Sequence, residues 1–371
     1  MTNRPLRVLM VSKACIVGIY QRKLEAIARE GIDLQVIVPP SWHDERGETK
    51  LERVYTEGYQ LEVLPMRFNG NFHLHYYVGL GAKIRAFQPQ IVHIDEEPYN
   101  VATWQSLIHA QRIGAKSLFF SWQNIYRDYP IPFRQGESWV LKTIDYALVG
   151  TESAGEVWRQ KGYQGGMAVI PQFGTDTNLF QPSAASMNRP FTIGYFGRLV
   201  EEKGIPTLLD AVTGLQGDWR LRILGGGPML TALQHQVQVN QIADKVEFIA
   251  HVGSIEMPAQ YHTLDAFVLP SLTRPNWKEQ FGRVLIEAMA SGVPVIGSNS
   301  GAIPDVIGDA GLIFPEGHAD ALCQQLRLLE ANPAYRAELA AKGRARAVAH
   351  FTHDQVARDT VAIYRKMMAE A

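Results

Sequence analysis

Cysteine is nearly absent from this chain: its 371 residues hold two, Cys15 and Cys323. That excludes a disulfide framework and makes a reducing cytoplasm the default location. Long apolar runs are also missing. Stretches such as VLMV and YALVG fall far short of the ~20 residues needed to span a bilayer. The opening MTNRPLRVLMVSK has neither the apolar core nor the small-residue cleavage site of a signal peptide. Charge of one sign is not in excess either. Lys plus Arg against Asp plus Glu is 19 against 18 over residues 1–180 and 17 against 19 over 181–371. Neither half suits a nucleic-acid partner, and any membrane contact has to be local and peripheral. Finally, the chain contains no Asp-x-Asp, the carboxylate pair that would suggest a bound divalent cation.

What remains is an ordinary globular composition, 46% apolar and 20% charged, long enough for two domains at roughly 100–200 residues each. Short apolar strands alternate with helical periodicity along most of it. RVLMVS (7–12), LQVIVP (34–39), IVHID (91–95), SLFFS (117–121), YALVG (146–150) and MAVIP (167–171) form a first series. The polar stretch QPSAASMNRP (181–190) reads as a linker. A second series follows: TIGYFG (192–197), LRILGG (221–226), VEFIA (246–250), AFVLP (266–270), VPVIG (293–297) and GLIFP (311–315). Helices close the chain at 318–331, 333–349 and 354–369. Near-continuous apolar strands separated by helices predict parallel sheets covered on both faces. The expected fold class is therefore α/β, with two Rossmann-like domains facing across a cleft and ligands beyond the C-terminal ends of the strands.

Three motifs carry chemistry. In GYFGRLVEEKG (194–204), Arg198 and Lys203 lie with Gly197 at a strand-to-helix turn, where two cations and close backbone suit a diphosphate. The plainer alternative is a solvated loop in which the cations pair with Glu201 and Glu202. In ILGGGPM (223–229), three glycines including Gly226 make a turn that can serve as a wall for a base or ribose, or as an ordinary turn. In EQFGRVLIEAMASGVPVIGS (279–298), Glu279 ends a proline-containing loop and a helix starts around Phe281 to Arg283. The amides of Phe281, Gly282 and Arg283 then form an anion site. Glu287, inside that helix among apolar residues, needs specific partners if buried; otherwise it faces solvent.

Taken together, GRLVEEKG, GGGP, EQFGRVLIEAMASGVPVIGS and SGAIPDVI (300–307) resemble the family 4 retaining glycosyltransferases of the GT-B fold, also described as glycosyl transferases group 1. The resemblance covers the second half motif by motif and the first half mainly in strand–helix order. It implies an N-terminal acceptor-binding domain over 1–185, a nucleotide-sugar domain over 186–352, and a last segment, 353–371, crossing back to the N-domain. It implies transfer of a sugar, with retention, from a nucleotide-diphosphate sugar to a hydroxyl of a glycan, glycolipid or small molecule. A UDP-sugar is placed ahead of GDP-mannose. By position, Arg198 and Lys203 match the family's diphosphate-binding pair, Glu279 its sugar-hydroxyl ligand and Glu287 its ribose ligand. No metal or other cofactor is implied, and polysaccharide or glycolipid assembly at the inner face of a membrane is the family-level expectation. A nucleotide-sugar epimerase of the same fold and a non-catalytic sugar-nucleotide-binding protein are the alternatives.

The first half departs from the family pattern. Its first strand-to-helix loop, VSKACIVGIYQRK, keeps a single glycine, Gly18, to approach the donor. Gln123 stands in FFSWQN where many members carry a histidine; it cannot titrate, though its amide can bond a sugar hydroxyl. Trp122 beside it can stack on a sugar. The acidic turn HIDEEPYN places Asp95, Glu96 and Glu97 at a strand end, where one could orient or deprotonate an acceptor hydroxyl or simply cap the next helix. Cys15 reads as packing, and His73 and His75 as surface or core, not metal ligands.

Overall fold

The computed structural model describes residues 4–44, 47–183, 189–250, 252–253 and 255–370. The chain divides into two compact units, Met1–Gly174 with His353–Ala371, and Thr175–Thr352.

The first unit contains a seven-stranded sheet of β1 (Leu6–Val11), β2 (Ile32–Val38), β3 (Gln60–Val63), β4 (Ile91–Ile94), β5 (Lys116–Ser121), β6 (Tyr146–Val149) and β7 (Gly166–Val169). All pairings are parallel, in the order β7-β6-β5-β4-β1-β2-β3. Because side chains alternate along a strand, Val8 and Met10 of β1 enter one core while Leu9 and Val11 enter the core on the other face. Both faces are covered, which explains the near-continuous apolar strands. The edge strand β3 reads QLEV and is half-exposed; lacking an apolar run, it gives no strand signal in the sequence. Two short antiparallel ribbons, Ser41–Asp44 with Gly47–Lys50 and Met66–Arg67 with Tyr76–Tyr77, are also absent from the expected series. Helix α1 (Arg22–Arg29) follows β1, and α2 (Val101–Arg112) follows β4.

The second unit holds β8 (Phe191–Phe196), β9 (Trp219–Leu224), β10 (Val246–Ile249), β11 (Ala266–Leu269), β12 (Val295–Ser298) and β13 (Leu312–Phe314). Their order is β10-β9-β8-β11-β12-β13, again parallel throughout. This is the doubly wound arrangement, in which the strand order reverses beside the first strand. Helices α3 (Ile205–Thr213) and α4 (Arg283–Ala290) follow β8 and β11.

The last helix, α5 (His353–Ala369), belongs to the first unit, where Val356, Val361 and Tyr364 enter the same core as Leu24 and Ile27 of α1. Arg29 reaches Asp354 at 2.7 Å, and Arg365 donates to the Glu30 carbonyl at 2.9 Å. The boundary between the units falls earlier than the expected 185/186. Arg344 donates to the carbonyls of Thr177 and Phe180, and the Phe180 ring is buried in the second core. Residues 175–183 are thereby held to the second unit. Of the expected linker 181–190, residues 184–188 lie outside the described residues.

One glycine shows how closely the loops at the strand ends approach. Gly204 has φ +64°, and a Cβ there would lie 2.0 Å from the Pro270 carbonyl oxygen. Gly217 has φ +82°, with its nearest neighbour 3.8 Å away. Gly217→Ala is expected to cost about 1 kcal/mol of backbone strain, and Gly204→Ala at least about twice that because backbone must also move. Thermal denaturation of the two variants checks the difference.

Candidate functional site

Open parallel sheets bind ligands outside the C-terminal strand ends where the strand order reverses. In the second unit that point lies between β8 and β11, and in the first between β1 and β4. Charged side chains gather at both.

In the second unit, the loop after β8 and the triple glycine after β9 are joined through backbone. Leu199 N–H donates to the Gly226 carbonyl at 2.9 Å, and Met229 N–H to the Leu199 carbonyl at 3.1 Å. Gly226 is exposed, with open space where a side chain would stand. Gly197 donates to the Leu224 carbonyl at 2.9 Å, and the buried Tyr195 hydroxyl donates to the Arg198 carbonyl at 2.7 Å. The Arg198 side chain is exposed, with no hydrogen-bond or ion-pair partner for its guanidinium among the described residues.

Lys203 does not pair with Glu201 or Glu202. Its Nζ donates to Glu279 Oε2 at 2.5 Å, and it sits 4.9 Å from the centre of the Trp277 ring. Ser271 Oγ donates to the same carboxylate oxygen at 2.8 Å. Glu279 is 7% exposed, and its carbonyl accepts from Ala302 N–H at 3.0 Å. The SGAIPDVI stretch thus serves as the brace behind this glutamate.

Helix α4 begins after Gly282, which is buried and left-handed at φ +73°. Phe281 and Arg283 flank it at the helix start, as the sequence predicts. Phe281 also packs edge-on against Phe351, with ring centres 5.9 Å apart. Glu287 is 6% exposed, so the solvent-facing alternative is overturned. It accepts from Arg283 Nε at 2.9 Å and from the Tyr261 hydroxyl at 3.0 Å. Burial raises its pKa, while the Arg283 charge and the Tyr261 bond oppose the rise.

In the first unit a chain of hydrogen bonds crosses the strand ends. Ser12 Oγ donates to Asp95 at 2.5 Å, and Gln172 Nε2 donates to the other Asp95 oxygen at 3.0 Å. Trp122 Nε1 donates to Gln172 Oε1 at 2.7 Å, while Trp122 N–H donates to Glu97 Oε1 at 2.9 Å. Ser121 Oγ donates to Glu97 Oε2 at 2.6 Å and accepts from Gln123 N–H at 3.0 Å. Glu96 is enclosed by the Lys13 ammonium, the Lys13 amide, Asn100 Nδ2 and His75 Nε2. Burial works to raise its pKa, but Lys13 and His75 outweigh that and hold it at about 2. Among the described residues Glu97 makes no ion pair, and burial pushes it up to about 7 against its bonds from Ser121 and Trp122 and the charge of Lys13.

Gln123 is 8% exposed; its Nε2 donates to the Ile125 carbonyl at 3.1 Å, and its Oε1 has no donor among the described residues. The Trp122 ring lies over Gly150, where a Cβ would be 2.0 Å from it, so at least part of the ring is packed against protein. Gly18 belongs to this unit; its amide donates to Glu52 at 2.6 Å, and its Cβ position is filled by Val54. That amide is thus engaged by protein. The Cys15 thiol is buried and pushed up to about 12, which suits packing. His75 packs edge-on against Trp42, and His73 lies among Tyr99, Tyr129 and Phe133. Among the described residues no three His, Cys, Asp or Glu side chains gather as a metal site, and no helix is long and apolar enough to cross a membrane. Ser12, Gln172, Tyr261 and Ser271, which hold the named carboxylates, carry no signal in the sequence, because each reaches its partner only through the fold.

The two doubly wound units define the GT-B class of fold. The chain is similar in structure to a sucrose-phosphate synthase from Thermosynechococcus elongatus, at 21% identity and a TM-score of 0.72, over 99% of this chain and 100% of that one. It is also similar to HepE of Anabaena, solved in complex with UDP, at 15% identity and a TM-score of 0.71, over 97% and 100%. Residues 176–346, nearly all of the second unit, match the family model described as glycosyl transferases group 1. It is 32% identical over 187 residues to a GDP-mannose-dependent α-(1-6)-phosphatidylinositol monomannoside mannosyltransferase of Mycolicibacterium smegmatis, covering 46% of this chain and 49% of the relative. The chain thus spans about half the length, or less, of the first curated relatives it matches.

The Lys13–Glu96 pair gives a stability test. Glu96 titrates lower in the folded chain than in the unfolded one, so its pairing stabilises the first unit above pH 4.5 and is lost as pH falls towards 2. Lys13→Met is expected to cost about 3–5 kcal/mol at neutral pH by leaving a buried carboxylate unpaired. It should also flatten the loss of stability on acidification, as followed by urea unfolding at several pH values.

Proposed function

We propose that the protein is a retaining, metal-independent glycosyltransferase whose donor, a nucleotide-diphosphate sugar, binds at the switch point of the second unit. The observation that carries this reading is the convergence there of Lys203, Glu279, Arg198 and the start of α4. Departure of a diphosphate concentrates negative charge, and stabilising that charge is the largest electrostatic task of such a reaction. Arg198 is exposed and, among the described residues, has no partner for its guanidinium, which leaves it ready for phosphate. Lys203 has three N–H donors and spends one on Glu279, so it can hold a phosphate oxygen while staying fixed by the carboxylate. The amides of Phe281, Gly282 and Arg283 add a helix N-terminus, which favours anions.

In this reading Glu279 and Glu287 position the donor, through its sugar and its ribose, and neither serves as a nucleophile. The glycine wall, with open space at Gly226, leaves room for the nucleoside, and Gly197 lies beside it at the end of β8. Relatives that use GDP-mannose support including GDP beside UDP as the nucleotide. The acceptor is a hydroxyl-bearing glycan, glycolipid or small molecule, served by residues of the first unit, and a weak peripheral membrane contact fits a lipid-linked one. A cytoplasmic location is part of the proposal.

A thermal-shift screen with UDP, GDP and ADP should find one clear stabiliser, since ligand at 100 times its dissociation constant adds about 2.7 kcal/mol; no shift with any of them contradicts the donor site. Arg198→Ala is expected to lower turnover at least about tenfold, or ~1.4 kcal/mol of transition-state stabilisation, without loss of thermal stability. Unchanged kinetics would remove it from the diphosphate site. Excess EDTA should leave the rate intact, and a loss restored by Mg²⁺ would overturn metal independence.

A further inference from the structure

We propose that Trp277 is a positioning residue of the donor site: its indole face holds the Lys203 ammonium beside Glu279 for the diphosphate to meet. The proposal rests on the glycosyltransferase reading above, and every residue in it belongs to the second unit.

Backbone places the tryptophan. Leu272 N–H donates to the Glu202 carbonyl at 2.8 Å, which ties the loop after β11 to the loop that carries Lys203. Thr273 N–H donates to Glu316, and the Thr273 and Ser300 hydroxyls share a hydrogen bond at 3.0 Å. The chain then reverses within four residues. Arg274 N–H donates to the Trp277 carbonyl at 2.8 Å, and Trp277 N–H returns a bond to the Arg274 carbonyl at 3.1 Å. Pro275 takes the second position of this turn, where its fixed φ favours the reversal. Trp277 is half-buried and, among the described residues, is not part of the second unit's apolar core. What it covers instead is Lys203, whose Nζ lies 4.9 Å from the ring centre.

The choice of an aromatic ring follows from the task. Lys203 is a compact charge on a flexible stem, and Glu279 holds it from one side only. A second carboxylate would fix the ammonium equally well, but it would also repel a diphosphate. An indole attracts the cation through its quadrupole, more strongly than the other aromatic rings, and carries no net charge. The ring also keeps water from that side of the ammonium, which weakens screening between the cation and a bound phosphate. Lys203 is thereby held on two sides and keeps its charge for the ligand.

Calorimetric titration of UDP and of GDP into single and double variants tests this role. Trp277→Leu keeps apolar bulk without a ring, and it should bind the preferred nucleotide at least about threefold more weakly, as loss of a cation–π contact requires. Trp277→Phe restores a ring face and should recover most of that affinity. In a Lys203→Met background Trp277→Leu should change nothing further, because the ring then has no cation to hold. Thermal unfolding without nucleotide shows that each variant folds; if Trp277→Leu has no cooperative transition, Trp277→Met is read in its place. Wild-type affinity in Trp277→Leu, the same loss with and without Lys203, or no recovery in Trp277→Phe overturns the proposal while leaving the donor site standing. A wild type that binds neither nucleotide overturns the donor site and this proposal with it.

Discussion

The ammonium of Lys203 against the carboxylate of Glu279, 2.5 Å apart and largely buried, is the interaction on which the second unit's site depends. Taking either charge out of water alone costs several kcal/mol, and the pair is tolerable because each neutralises the other and Ser271 adds a hydrogen bond. The pair also ties the loop after β8 to the loop after β11, across the line where the strand order reverses. Everything else in the site is arranged around it. Gly204 lets backbone approach Pro270, and Ala302 holds the Glu279 carbonyl from behind.

The first unit meets the same constraint differently. Its strand order reverses between β1 and β4, and there Lys13 neutralises Glu96 while neutral donors satisfy Asp95 and Glu97. Three consecutive carboxylates are thereby placed in three electrostatic situations. Glu96 is held ionised to about 2, and Glu97 is left to titrate at about 7. Groups whose environments drive their pKa values apart are a common feature of sites that move protons.

Much of the fold was legible in the sequence, because a strand buried on both faces has to be apolar along its whole length. The central strands β8, β11 and β12 of the second unit announce themselves this way, while the edge strand β10, half-exposed with Glu247 on its open side, is marked only by its remaining apolar residues. The half-exposed β3 and the two short ribbons do not, since polar residues on their open sides remove the pattern. The unit boundary was displaced because what holds residues 175–183 is Arg344 bonding to backbone carbonyls, and carbonyls have no sequence. The site divides along the same line. Arg198, Lys203, Glu279 and Glu287 stand out as charges among glycines and apolar residues. Their holders, Ser271 and Tyr261, are common residues whose role exists only once the chain has folded. Gly18 illustrates the converse: a glycine read as an opening towards ligand has its amide bonded to Glu52.

The central claim is that the Lys203–Glu279 pair marks a diphosphate site. Calorimetric titration of UDP and of GDP into the wild type and into Lys203→Met tests it most directly. One of the two nucleotides should bind the wild type with one-to-one stoichiometry and bind the variant at least about tenfold more weakly, a loss of ~1.4 kcal/mol, because a cation is removed and Glu279 is left to repel phosphate. Equal affinity for both proteins, or binding of neither nucleotide, would contradict the account.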